Sequence, residues 1–172
     1  MKRKKTKFKD LLIFKSKSFK DSRGFFREIF LEKIANKKIV FSVISKSKKN
    51  VLRGLHLQTK NPQGKYLSVL KGKIFDVSID LRKKSKTYLK YFPIYLSEKN
   101  GLSIYIPPGF AHGFLCLDKE NIVAYGCTKY RDKKSETGVK WDDPDLNIKW
   151  PVKKPILSSK DKNNISLKEF LK

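Results

Sequence analysis

The chain has 172 residues, a formal charge of +25 and a pI near 10.0. That length holds one well-buried domain, and 39% apolar with 12% aromatic residues supply a core, which excludes a chain disordered throughout. No apolar run is long enough to cross a bilayer, DLLIF after the basic start is too short for a signal peptide, and Cys116 and Cys127 alone build neither a disulfide framework nor a CxxC zinc site. These features point to a soluble, cytoplasmic protein.

A charge of this size is the footprint expected of a nucleic-acid binder. Only six of the 41 cations are Arg, however, and the Lys residues are scattered rather than clustered. Arg offers the planar fork that clamps phosphates and reads base edges, whereas Lys is a flexible point charge. The excess therefore reads as a solvated surface that attracts anions and helps a phosphorylated substrate approach, without nucleic acid as the ligand.

In chain order, residues 1–10 form a basic amino terminus, expected to be mobile. LEKIANKK (31–38) predicts two or three helical turns. Strand signals follow at KYLSVL (65–70), KGKIFDVSID (71–80), YLKYFPIYL (88–96), LSIYIP (102–107), FLCL (114–117) and IVAYGCTKY (122–130), separated by LKGK, SEKNG, PPG and DKEN turns. Across DKEN the strand bearing Tyr125 is expected to pair with FLCL as an antiparallel hairpin. Residues 141–161, rich in Pro and Asp, wrap the domain as extended chain, and ISLKEFLK (165–172) closes it as a short helix behind Asn163 or Asn164. Many short strands at this spacing predict an all-β jelly-roll sandwich, in one domain over 1–172 with 162–172 as its helical end.

The chain has only two histidines, His56 in VLRGLHLQ and His112 in IPPGFAHGF. For either alone, a hydrogen-bonded core residue is the simpler reading. Tyr125 on a nearby strand, with Arg53 and Lys65 at short range from His56, changes the balance: a sandwich mouth lined with His, Tyr, Lys and Arg suits proton transfer on an anionic substrate. Gln58 stands two residues after His56, where a His-x-His metal pair would have its second ligand, so a catalytic metal is not expected.

DSRGFFREIF (21–30), NVLRGLHLQ (50–58), PQGKYLSVLKGKIFDVSIDLRKKSKTY (62–88), YIPPGFAHGF (105–114), AYGCTKY (124–130), WDDPDLNIKWP (141–151) and ILSSKD (156–161) resemble, in order, the dTDP-4-dehydrorhamnose 3,5-epimerase family. The resemblance implies a cupin jelly roll without metal or other cofactor, a homodimer, and a nucleotide-linked 4-keto-6-deoxyhexose as substrate. It implies His56 as the base, oriented by Asp161, with Tyr125 as proton donor on the other face and Lys65 steadying the enolate oxygen. His112 matches the second histidine of the site, with Asp76 as its carboxylate. Arg53 is expected beside the base and the sugar-phosphate, and Gln58 near the substrate. Arg23 and Glu28 match nucleotide-binding positions often contributed across the dimer interface, with Phe26 beside them.

Asp76 also reads as an ordinary ion-pair partner for the cationic turn that follows it. The pairs Trp141/Trp150 and Phe25/Phe26 read as core or interface packing, with Phe26 beside the nucleotide site as the other reading. Two positions depart from the family pattern. FSVISKSK (41–48) places Phe41, Val43 and Ile44 where a Gln and an Asn-His pair are usual, and Arg131 stands where a second aromatic often follows Tyr130. Both changes fall on the nucleotide side, and Arg131 retains the ability to stack on a base. Three readings stay open beside the double epimerase: inversion of one carbon only, a different nucleotide, and a catalytically silent nucleotide-sugar-binding cupin.

Overall fold

The computed structural model describes residues 1–172. Thirteen strands run in chain order as β1 (Lys2–Lys5), β2 (Leu12–Lys15), β3 (Ser18–Asp21), β4 (Gly24–Arg27), β5 (Phe41–Lys48), β6 (Leu52–Gln58), β7 (Lys65–Lys71), β8 (Lys73–Asp80), β9 (Tyr91–Ser97), β10 (Leu102–Ile106), β11 (Phe110–Cys116), β12 (Glu120–Cys127) and β13 (Glu136–Gly138). They form a six-stranded sheet in the order β1-β2-β10-β7-β12-β5, a five-stranded sheet β13-β6-β11-β8-β9, and a separate β3-β4 hairpin. Antiparallel pairing, with non-consecutive neighbours everywhere in the two large sheets except β1-β2 and β8-β9, makes this the jelly-roll sandwich that the strand spacing predicts.

Period-2 alternation sorts the side chains into layers. Along β8, Ile74 faces the space between the sheets, while Phe75, Val77 and Ile79 join a second apolar cluster with Leu55, Leu57 and Leu115. Both faces of the five-stranded sheet are thus buried. The inner core holds Leu67, Val69, Ile104, Phe114 and Val123, and the outer cluster is covered by the carboxy-terminal segment through Trp141, Leu146, Trp150 and Leu167. Trp150 meets Phe75 edge-on at 5.6 Å and donates from its indole N–H to the Trp141 carbonyl, so both tryptophans are packing residues. No helix is long and apolar enough to cross a membrane.

Several elements differ from the sequence reading. The first helix is a single turn, α1 (Glu32–Ala35), because Asn36 takes the left-handed conformation (φ 51°) and ends it. The strand with Tyr125 does not pair with FLCL: β11 lies between β6 and β8, and β12 between β5 and β7, so the DKEN turn carries the chain from one sheet to the other. The Asn121 side chain shapes that crossing by bonding both the N–H and the carbonyl of Asp118. Residues 141–161 do wrap the sandwich but finish in a helical turn, α2 (Ser159–Lys162). The terminal helix α3 (Leu167–Phe170) is capped by Ser166, not by Asn163 or Asn164. Lys2–Lys5 are paired with Leu12–Lys15 along the sheet edge, in place of the mobile end that the charge suggests.

Candidate active site

The site begins with a β-bulge. In β6 the register against β11 shifts between His112/His56 and Phe114/Arg53, so β6 carries one residue more than its partner. In a regular strand, residues three apart point to opposite faces. The extra residue turns both Arg53 and His56 into the space between the sheets, and both line the same cavity. Gly54 makes this fit possible. It has φ +137°, and an added Cβ would lie 2.5 Å from the Gly113 Cα.

The cavity holds about 440 Å³ between the two sheets. From the five-stranded sheet come Arg53, His56 and His112, with His112 directly opposite His56 in the ladder. From the six-stranded sheet come Lys65, Tyr125, Cys127 and the apolar Phe41 and Val43. In register, Tyr125 stands opposite Val43 and Leu67, and Cys127 opposite Phe41 and Lys65, so these side chains share one inward face. A molecule between the sheets therefore meets histidines on one side and a phenol with an ammonium on the other.

His56 Nε2 lies 2.5 Å from Asp161 Oδ1. Ser158, the N-cap of α2, accepts from the Asp161 backbone N–H and donates to Asp161 Oδ2 at 2.8 Å. Burial alone would raise the Asp161 carboxyl, but the bonds from His56 and Ser158 outweigh it and hold the pKa below the usual carboxylate value. A carboxylate acceptor at Nε2 favours the tautomer with its proton there, which puts the lone pair of that tautomer on Nδ1. The second histidine repeats the design: His112 Nε2 is 2.7 Å from Asp76 Oδ2, and Asp76 is fully buried. The cationic turn after β8 is served instead by Asp80, which binds Arg82, Ser85 and Thr87, so the ion-pair alternative for Asp76 does not hold. Oδ1 of Asp76 has no hydrogen-bond partner, and its charge acts on Lys65.

Burial pushes the Lys65 ammonium below the ordinary lysine range, offset in part by the fields of Cys127, Glu136 and Asp76, and no hydrogen bond anchors it. An amine on the cavity wall without a hydrogen-bond partner is placed to meet a negative oxygen of a bound molecule. Burial likewise raises the Tyr125 phenol, against a smaller opposing pull from Arg53, which favours its protonated form. The His56 side chain is 23% exposed. His56 is thus within reach of a ligand that enters the cavity from solvent.

Not every expected residue joins the cavity. Gln58 lines it, but its amide is spent on the Asn61 carbonyl and the Asp132 N–H, which makes it a rim-shaping residue. Arg131 lines it with its fork turned onto Glu136 (2.7 and 2.8 Å), away from the stacking role open to it in the sequence. Phe41 stacks on Tyr130 at 5.8 Å and 10°. Arg23, Phe26 and Glu28 lie on or beside the β3-β4 hairpin outside the cavity. There Arg23 pairs with Asp21, and Phe19, Phe25 and Phe26 are all exposed. Glu136, Lys160, Ser158 and Gln63 line the cavity without having been singled out from the sequence. For Ser158 a signal existed: Ser followed three residues later by Asp161 is the pattern of a helix N-cap.

A histidine–carboxylate pair on one sheet, facing a phenol and an unpaired amine on the other, is a jelly-roll site suited to proton transfer. The chain belongs to the dTDP-4-dehydrorhamnose 3,5-epimerase family, whose model matches residues 5–169. It is 42% identical to a dTDP-4-dehydrorhamnose 3,5-epimerase of Methanothermobacter thermautotrophicus, over 96% of this chain and 94% of that one. Among solved structures it is similar to a Legionella pneumophila dTDP-6-deoxy-D-glucose-3,5-epimerase in complex with dTDP-4-keto-L-rhamnose, at TM-score 0.91 and 38% identity over 97% and 93% of the two chains. It is similar also to a Bacillus anthracis dTDP-4-dehydrorhamnose 3,5-epimerase with TDP and PPi bound, at TM-score 0.92 and 37% identity over 96% and 99%.

Proposed function

We propose that this chain inverts C3 and C5 of dTDP-4-dehydro-6-deoxy-D-glucose, giving dTDP-4-dehydro-L-rhamnose. The observation that carries the reading is the division of labour across the cavity, with the His56–Asp161 pair on one sheet and Tyr125 with unpaired Lys65 on the other. The 4-keto group acidifies the hydrogens on both neighbouring carbons. His56 takes such a proton through Nδ1 while Asp161 stabilises the imidazolium that forms. Charge moves to the ketone oxygen, where the Lys65 ammonium stabilises the enolate. Tyr125 returns a proton from the opposite face, and inversion follows from that opposition. His56 then gives its proton to water and Tyr125 regains one from water, which resets the pair for the second carbon and carries solvent hydrogen into the product.

Arg53 beside the base and the aromatic pair Phe41–Tyr130 near the mouth give the nucleotide diphosphate a cation and a flat surface. The β3-β4 hairpin fits a role across a homodimer. Its exposed Phe25 and Phe26, with Glu28 and the Asp21-paired Arg23 exposed beside them, support delivery into a partner's cavity rather than their own. The test of the chemistry is His56→Ala, followed by deuterium uptake into substrate from heavy water. Uptake should vanish while nucleotide binding persists, and unchanged uptake would remove His56 from the role of base.

A further inference from the structure

Glu136 stands on β13 in register with Gln58, two residues before Gly138, which lies opposite His56. Its side chain is only 15% exposed and receives three charged bonds, two from the Arg131 fork and one from Lys160 Nζ at 2.7 Å. Burial would raise its carboxyl, but the two cations hold it below the usual range. Lys160 is the residue before Asp161 in α2, a helix of a single turn. One turn is marginal on its own, because nucleation costs more than its few bonds return. The chain around it is anchored to β6 or its approach, by backbone bonds between Ile156 and both Asn50 and Leu52, and by the Asn164 side chain on the Gly54 carbonyl. Between those anchors, Lys160–Glu136 is the only ion pair of α2 other than Asp161–His56 itself.

We propose that Glu136, acting through Lys160, is a positioning residue for the base: the ion bridge fixes the rotation of the α2 turn that aims Asp161 at His56 Nε2. The inference rests on the reading of His56 as base. Arg131 occupies the second side of the Glu136 carboxylate and keeps that carboxylate pointed at α2. Loss of the bridge frees the turn to rock about its two anchors, and Asp161 then no longer holds His56 in one orientation.

The test is proton and nitrogen NMR of the imidazole groups in the ligand-free protein, which has only two histidines to resolve. In the unaltered chain both Nε2–H protons are held by carboxylates and exchange slowly. Lys160→Met changes a side chain 47% exposed, so the fold is retained. The Nε2–H of His56 should then exchange about tenfold faster or more, as local opening is eased, while the His112 signal stays in place as an internal control. Lys160→Arg should preserve the His56 signal. Glu136→Gln should repeat the Lys160→Met result, and in both variants kcat should fall by about tenfold or more with KM moving less.

An unchanged His56 signal in Lys160→Met and Glu136→Gln, with the loss confined to KM, would overturn the proposal and leave these residues as substrate contacts only. Disturbance of both histidines together would also overturn it, since the effect would then be global. No substrate is present in the NMR measurement, so it decides the coupling even where the epimerase reading fails.

Discussion

Asp161→Asn is the sharpest test of how the base is prepared. The Ser158 hydroxyl accepts from the Asp161 N–H and donates to Oδ2, so its hydrogen is committed. An asparagine in the same place would keep its oxygen at the Ser158 position and present its NH2 to His56 Nε2. The ring would then carry its own proton on Nδ1, the nitrogen that has to accept one from substrate. A histidine held in the wrong tautomer costs about 10⁴-fold in comparable sites, or roughly 5 kcal/mol of barrier. Flipping the amide restores the tautomer but faces the Ser158 hydroxyl with an NH2, a mismatch of about 1–3 kcal/mol, which sets the smallest expected loss near fivefold. Deuterium uptake at C3 and C5, measured as a first-order rate at neutral pH, should therefore fall by between about 5- and 10⁴-fold. A rate within about threefold of the unaltered chain would refute the claim that Asp161 sets the His56 tautomer, since even the smallest of those penalties exceeds it.

Other outcomes follow from the same structure. Tyr125→Phe should slow net epimerisation more than the first exchange step, because abstraction by His56 survives loss of the acid; equal slowing of both would leave Tyr125 as a positioning group. Gly54→Ala should cost more than about 2 kcal/mol in chemical denaturation, since φ +137° and a Cβ 2.5 Å from the Gly113 backbone leave no room to relax. Full stability in that variant would remove the bulge as a constraint. Asp80, fully buried, is pulled down to about 2: burial opposes ionisation, but bonds from Arg82, Ser85 and Thr87 outweigh it. A carboxyl depressed on folding adds stability that is complete above the unfolded value of 3.8 and is lost as pH falls toward about 2. Asp80→Asn should accordingly remove about 2–3 kcal/mol at pH 7 and flatten the acid limb of the stability curve, as followed by denaturant midpoints between pH 2 and 6.

The central strands were legible because their alternation survives in sequence: Val77 and Ile79 mark one face of β8, and Leu67 and Val69 one face of β7. The pairing of Tyr125 with FLCL was misread because a short turn looks the same whether it joins neighbours or crosses between sheets; only the prior claims of β6 and β8 on β11 decide. His56, Asp161, Lys65, His112 and Tyr125 were found through motifs, while the reason Arg53 and His56 share a face was hidden. Three-residue spacing argues against it, and the bulge at Gly54 becomes visible only in the register. Glu136 escaped notice because nothing local distinguishes it from the other charges of YRDKKSETG; its weight comes from Lys160, which the fold brings to it from far along the chain.

The central claim is that one cavity abstracts hydrogens on both sides of a ketone and returns them from the opposite face. Proton NMR of dTDP-4-dehydro-6-deoxyglucose with the protein in deuterated water tests it most directly. Deuterium should enter at both C3 and C5, with the product in the L-configuration. Exchange at one carbon alone, or at neither, would contradict the account.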